Sequence, residues 1–282
     1  MSTAKAKTEV IEVNEINMEE IRFNVLGKSP MIMNRFNQKA WQQLLFPQER
    51  QSRATLESKL KHDPIAEFRG ALYLNRDKKT PTLIHMPNGA FHGAIAQSGV
   101  DIPGAAKAKI ERLTSVVDVN INVYGIPHLF MAMVRNSDMN HTPDVRTRPI
   151  FPEWGCTVTV RYVKQLMAQR TIANLFGAAG VIVGIGDWRP QKGGPYGTFQ
   201  IVSDDDATFR DIVKKQGRAA QQAAYDKPIY YDADTEELMA WFEAELARRE
   251  KSAPSTKASA AKQPKIKRPV ITENGTGHII PA

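Results

Sequence analysis

Between Gly180 and Gly197 six glycines fall within eighteen residues, and Trp188, Arg189, Lys192 and Tyr196 stand among them. Glycine loses more conformational freedom on folding than any other residue, so so dense a cluster needs a compensating reason. Close approach of backbone to a ligand is one: Gly193, Gly194 and Gly197 would let amides meet a phosphate or ribose where a Cβ would clash. The cations Arg189 and Lys192 lie beside those amides, and Trp188 and Tyr196 supply flat faces. Stacking of a base on such a face is worth about 1–3 kcal/mol. The other reason is structural: a tight connection between a helix and an edge strand, with Trp188 plugging the core and Arg189 paired to Asp187 or another carboxylate.

A nucleotide cofactor fits less well. Gly184-Ile185-Gly186 lacks the third glycine of a dinucleotide fingerprint, because position 189 is arginine. Gly27-Lys28-Ser29 lacks the upstream glycine of a phosphate loop, because position 22 is Arg22. No cofactor is expected. A second basic group, Arg135, Arg146 and Arg148, flanks a stretch rich in Pro and Asn that reads as a polar loop over 136–148. It either lies along phosphates or is solvated surface charge, as do Lys107, Lys109 and Arg112.

No catalytic or metal-ligating residue is expected. Of six histidines, His85 and His92 are seven apart with Pro87 between them, and no third ligand follows at zinc spacing. The single cysteine, Cys156, excludes an internal disulfide framework and a multi-cysteine metal site, and suits a reducing cytoplasm. A metal-free ribonuclease would need a histidine as general acid or base, and His92 or His141 would be the candidates. No Gly-x-Ser-x-Gly nucleophile signature occurs. Asp204-Asp205-Asp206 reads as a solvated turn rather than a cation site.

The elements that must hold these residues follow from periodicity. Ile21, Phe23 and Val25 alternate with polar residues as in a half-buried strand, which Gly27-Lys28-Ser29-Pro30 breaks before Met31-Ile32-Met33. Residues 36–75 read as helical with breaks at Pro47 and Pro64. Asn88 would cap a short small-residue helix to Ala96. Val117, Val119, Ile121 and Val123 predict one strand over 115–123, Leu129–Val134 is another apolar run, and Val158, Val160 and Tyr162 mark a strand over 157–163. Leu166–Ala179 reads as a helix buried through Ile172, Leu175 and Phe176, and 198–202 as a last strand. The fold class is therefore α+β, a ferredoxin-like (RRM-like) split βαβ core with insertions. Four regions are expected: an N-terminal extension (1–18), the body (19–203), an acidic segment with an amphipathic helix (204–250), and a flexible basic tail (251–282). That helix, capped by Asp234 or Thr235, would bury Leu238, Trp241, Phe242 and Leu246.

The chain has 282 residues and a net charge of +8, unevenly placed. Residues 1–203 hold 25 basic against 17 acidic residues, 204–247 hold 5 against 11, and 248–282 hold 8 against 2. A basic body favours a polyanion through counterion release. No apolar run approaches the roughly 20 residues of a membrane span, and the first eight residues lack the apolar segment of a secretory signal. No membrane partner is expected, and the cytoplasm is the natural location.

The stretch Ile185-Gly186-Asp187-Trp188-Arg189 … Gly193-Gly194-Pro195-Tyr196-Gly197-Thr198-Phe199, after a strand and a helix, resembles the C-terminal glycine-rich loop of the RAMP superfamily, the RNA-binding proteins of CRISPR effector complexes. Gly27-Lys28-Ser29-Pro30-Met31-Ile32-Met33 looks like that family's opening, and Pro87–Ala96 like the segment carrying its first packed helix. The likeness is greatest to backbone subunits that coat guide RNA. It implies RNA binding, head-to-tail assembly as a homo-oligomer or within a multi-subunit ribonucleoprotein, and a thumb-like insertion. The acidic segment and tail have no counterpart there, nor does any residue match the aspartate of target-cleaving members. The candidate nucleic-acid-binding residues are thus Lys28, Arg135, Arg146, Arg148, Gly186, Trp188, Arg189, Lys192, Gly193, Gly194, Tyr196 and Gly197. Three rivals stand beside non-catalytic binding of single-stranded RNA: a phage- or plasmid-type protein binding or annealing single-stranded DNA, a metal-free endoribonuclease, and a protein–protein scaffold.

Overall fold

A computed structural model describes residues 15–35, 45, 62–135 and 143–252. The basic tail beyond Ser252, the first fourteen residues and most of the helical reading over 36–61 lie outside that description. The chain divides into two units, Met1–Trp241 and Phe242–Ala282.

The fold is mixed α+β with two sheets. The strands are β1 (Met18–Gly27), β2 (Met31–Ile32), β3 (His85–Pro87), β4 (Thr114–Val116), β5 (Asn120–Tyr124), β6 (His128–Arg135), β7 (Pro143–Phe151), β8 (Gly155–Val163), β9 (Phe199–Val202) and β10 (Ile229–Tyr230). The described helices are α1 (Pro64–Gly70), α2 (Asn88–Ser98), α3 (Lys107–Leu113), α4 (Gln169–Ala178), α5 (Ala207–Lys215), α6 (Arg218–Asp226) and α7 (Ala233–Ser252).

The six-stranded sheet runs β3-β5-β8-β1-β9, with β4 also on β8, and every pairing is antiparallel. Helices α2 and α4 cover one face. Phe176 meets Phe23 of β1 and Phe199 of β9, and Phe91 meets Phe199, at centroid distances of 5.0 to 6.0 Å, while Phe91 and Phe176 stand 6.2 Å apart. Ile172, Leu175 and Phe176 are buried, as the helical period requires. The alternating residues Val158, Val160 and Tyr162 of β8 are buried likewise.

The second sheet runs β10-β6-β7-β2. Its hairpin β6/β7 interrupts the chain between β5 and β8, and β2 joins it after the Gly27–Pro30 turn. Leu129, Met131, Thr147 and Pro149 face inward on the hairpin, and Phe130 and Arg148 pair across the other face.

Four readings change. The predicted strand over 115–123 is two strands, β4 and β5, separated at Val117–Val119, where Val119 is 71% exposed. The break lets β4 pair with Val160–Tyr162 and β5 with Gly155–Cys156 of the same partner. Arg146 and Arg148 lie on strand β7 rather than in a loop, because their stretch pairs with β6. Pro87 takes the cap position of α2, and Asn88 Nδ2 instead donates to Val116 O at 3.4 Å. In α7 the cap is Asp232, whose Oδ1 accepts from Thr235 N at 2.8 Å, and Met239 rather than the 62% exposed Trp241 is buried.

The acidic stretch after Ser203 is packed. Asp206 caps α5 by accepting from Phe209 N at 2.8 Å, and Phe209 lies against Gly155. Gln221 of α6 is fully buried, its Oε1 accepting from Leu83 N and Ile84 N while Nε2 donates to Val123 O and Gly125 O. Satisfying four backbone groups is what makes a buried amide tolerable there. In the Phe242–Ala282 unit, Arg248 and Arg249 hold the Glu245 carboxyl down to about 2.

Candidate nucleic-acid interface

Helix α4 runs into a π-helical turn, Ala179–Val183, from which the glycine-rich stretch turns back to β9. The turn closes on itself. A Cβ at Gly197 would stand 1.8 Å from Ile185 O, and one at Gly194 would stand 1.8 Å from Trp188 O. Gly197 also has φ +73°, which a side chain resists. Ile185 N donates to Gly197 O at 2.9 Å, Gly194 N to Arg189 O at 3.1 Å, Gly197 N to Pro30 O at 2.8 Å and Asp187 N to Ile32 O at 2.8 Å. The amides expected to cradle phosphate at Gly193, Gly194 and Gly197 are therefore spent inside the chain, Gly193 N on Pro190 O at 2.9 Å. Gly180, Gly184, Gly186, Gly194 and Gly197 serve close packing of the loop on itself, on β2 and on β9, a self-contact the sequence cannot distinguish from ligand approach, whereas a Cβ at Gly193 would meet nothing within 4 Å.

That packing presents side chains instead. Trp188 has φ 51° and is 44% exposed, so it is no core plug. Its ring lies 5.6 Å from Tyr196, which lies 6.5 Å from Phe130, which lies 5.4 Å from Tyr231. Four rings thus form a row across the loop and the solvent side of the hairpin. Arg148, opposite Phe130 in the ladder, is paired with Asp187, and Arg146 lies 3.3 Å from Asp144. Burial, then the neighbouring Arg146 charge, lowers the Arg148 pKa. A guanidinium so placed keeps its charge, and Asp187 and Asp144 offset the two cations beside the rings. Arg189 does not take Asp187; it donates to Gly186 O at 3.0 Å and to Gln191.

The stretches Gly27–Met33 and Ile185–Phe199 meet in space. Lys28 N donates to Thr198 O at 2.8 Å, and the Ser29 hydroxyl engages both Thr198 N and Thr198 Oγ1. Trp154 Nε1 donates to Ser29 O at 2.9 Å and holds the turn from beneath. Lys28, Lys192 and Gly193 are exposed. Arg135 ends β6 opposite Pro143, five residues along the strand from Phe130.

Two features were missed. Phe130 read only as part of an apolar run; its place on the solvent face needs the register with β7. On the other side of the loop, a groove of about 470 Å³ separates Val183–Arg189 from α2. Gly89 and Gly93 of α2 line it, and a Cβ at either would meet nothing within 4 Å. Their i, i+4 spacing, with Ala90 and Ala94, was the available signal. Asn34, Gln97, Lys107 and Gln191 add polar groups to its walls.

Enzymatic candidates are less well placed. Among the described residues no three His, Cys, Asp or Glu side chains could together hold a metal ion. His62 has both ring nitrogens on carboxylates, Glu67 at 2.7 Å and Asp144 at 2.9 Å, an arrangement that leaves neither free to take a substrate proton. His92 is half-buried with Nε2 unpartnered, and His141 lies outside the described residues. Burial pushes the Cys156 thiol well up, so it stays protonated and unreactive. Among the described residues no helix is long and apolar enough to cross a membrane. Compared with known proteins, the sequence matches no family model and no curated protein.

Proposed function

We propose that this chain binds single-stranded nucleic acid, RNA in preference to DNA, across the glycine-rich loop and the adjoining hairpin, without turnover. The observation that carries the reading is the row Trp188, Tyr196, Phe130 and Tyr231 with Arg146 and Arg148 alongside. Rings accept any base by its face, and cations follow the backbone, so such a surface takes a strand without reading its sequence. The groove against α2 continues from the other side of the same loop and brings Asn and Gln amides that suit a 2′-hydroxyl.

The strand order supports a ferredoxin-like core. From β9 through β1 and β8 to β4/β5 the sheet is antiparallel, with α2 between the first and second core strands and α4 between the third and fourth. That is the order of a split βαβ sandwich, with the β6/β7 hairpin as its insertion. It agrees with the RAMP-like reading, in which successive copies would coat a strand; sedimentation with RNA of increasing length tests that assembly.

The direct test is a titration of labelled RNA and DNA oligomers of one sequence at two salt concentrations. The reading expects RNA to bind tighter, affinity to fall steeply with salt, and Trp188→Ala with Tyr196→Ala to weaken binding about tenfold or more. Equal affinity of that double variant and the parent would remove the ring row from the function.

A further inference from the structure

A second cleft, of about 760 Å³, opens where the segment after α1 passes the edge of the six-stranded sheet. Its walls include Arg35, Tyr73, Arg76, His85 and Asn122. His85, on edge strand β3, is 9% exposed and its Nδ1 has no hydrogen-bond partner. Leaving a buried polar atom unsatisfied costs about 1–3 kcal/mol, and a native fold keeps such a group for a reason. Around it the polar groups are fixed. Asn122 Oδ1 accepts from Asn75 Nδ2 at 3.1 Å and from Thr82 Oγ1 at 2.9 Å, which turns its amide nitrogen away from them. The Tyr73 ring stands 5.8 Å from the His85 ring and 6.0 Å from the Arg35 guanidinium. Burial, then the Arg35 charge, lowers the His85 pKa, so its ring is neutral at pH 7 and offers one donor and one acceptor.

Tyr73 also walls the groove against α2, so the two concavities are neighbours across one ring. Arg35 and Arg76 give the cleft two cations against the single carboxylate of Asp77. An anionic group with an adjoining planar, hydrogen-bonding body matches that combination.

We propose that this cleft is a nucleotide subsite for the same strand: its phosphate rests on Arg35 and Arg76, its ring or sugar lies along Tyr73, and His85 Nδ1 forms a hydrogen bond to it. The subsite rests on the RNA-binding reading above and extends it to the sheet edge.

The test titrates a fluorescent oligouridine with the full chain and five variants, each checked for native circular dichroism. Arg35→Ala with Arg76→Ala weakens binding about tenfold and lowers the slope of log affinity against log salt by about one. His85→Leu weakens binding about fivefold, whereas His85→Asn, whose amide can replace Nδ1, stays within about twofold of the parent. Arg161→Ala with Lys164→Ala makes the same change of charge at the C-terminal end of β8 and costs about twofold or less. If the two double variants lose affinity equally, the effect is net charge and the subsite is overturned. If Trp188→Ala weakens binding while the Arg35 and Arg76 variant matches the parent, the subsite falls and the ring row stands. If the parent binds no oligonucleotide, both fall together.

Discussion

The chain uses glycine in two places for opposite ends. In the loop, Gly194 and Gly197 are squeezed until a Cβ would overlap a carbonyl oxygen at 1.8 Å. On α2, Gly89 and Gly93 face a groove where a Cβ would touch nothing. The first pair is demanded by the fold. The second weakens a helix by about 0.5–1 kcal/mol per residue relative to alanine and gains no packing for it. A conspicuous glycine cluster can thus be mostly close packing, while two inconspicuous glycines border the open surface. What the loop offers a ligand is its rings and cations, not its amides.

Substitutions separate the two cases, beginning with the largest effect. Gly197→Ala forces a side chain into a left-handed backbone and onto Ile185 O, and should cost about 3 kcal/mol or more in urea unfolding; a loss under 1 kcal/mol would break the contrast at its loop end. Trp188→Ala should leave the unfolding midpoint nearly unchanged, because the ring is exposed, yet reduce RNA affinity by about 1–3 kcal/mol. Gly93→Ala should do the reverse of Gly197→Ala, raising stability by about 0.5–1 kcal/mol while weakening RNA binding. Gly177→Ala, in α4 and equally uncrowded, is its control: the same gain in stability without loss of affinity. Equal affinities for the Gly93 and Gly177 variants would exclude α2 from the bound surface.

The smallest expected effect is one of pH. Burial lowers the pKa of both His85 and His128 from the ordinary 6.5. Above that value neither the folded nor the unfolded chain protonates them, so they contribute no pH dependence. Below it the unfolded chain takes protons that the native state refuses, and stability declines as pH falls from about 6.5 towards 5. Urea midpoints across that interval should drop in the parent and drop less in His85→Asn.

Much of the frame was legible because it rests on local periods. Ile21-Phe23-Val25, Val158-Val160-Tyr162 and Ile172-Leu175-Phe176 each announce an element whose buried face is its own repeat. Gly27-Lys28-Ser29-Pro30 announced the break between β1 and β2. Illegible were features decided by distant partners. Val117 and Val119 complete an alternation, yet β8 accepts two short strands instead of one long one. Arg146 and Arg148 read as loop residues because only pairing with β6 makes them a strand. Helices α5 and α6 are polar enough to pass for surface, but Phe209 and Gln221 fix them to the body. For the candidate site, the rings and cations were visible as types. Their alignment with Phe130 and Tyr231, from segments 58 and 43 residues away from Trp188, required the fold.

The central claim is that a strand lies across those rings, and photo-crosslinking tests it most directly. RNA carrying 4-thiouridine, irradiated with the full chain and mapped by mass spectrometry, should join to peptides containing Trp188, Tyr196 and Phe130. Crosslinks confined to the acidic stretch from Asp204 to Ser252, with the ring row unmodified, would contradict the account.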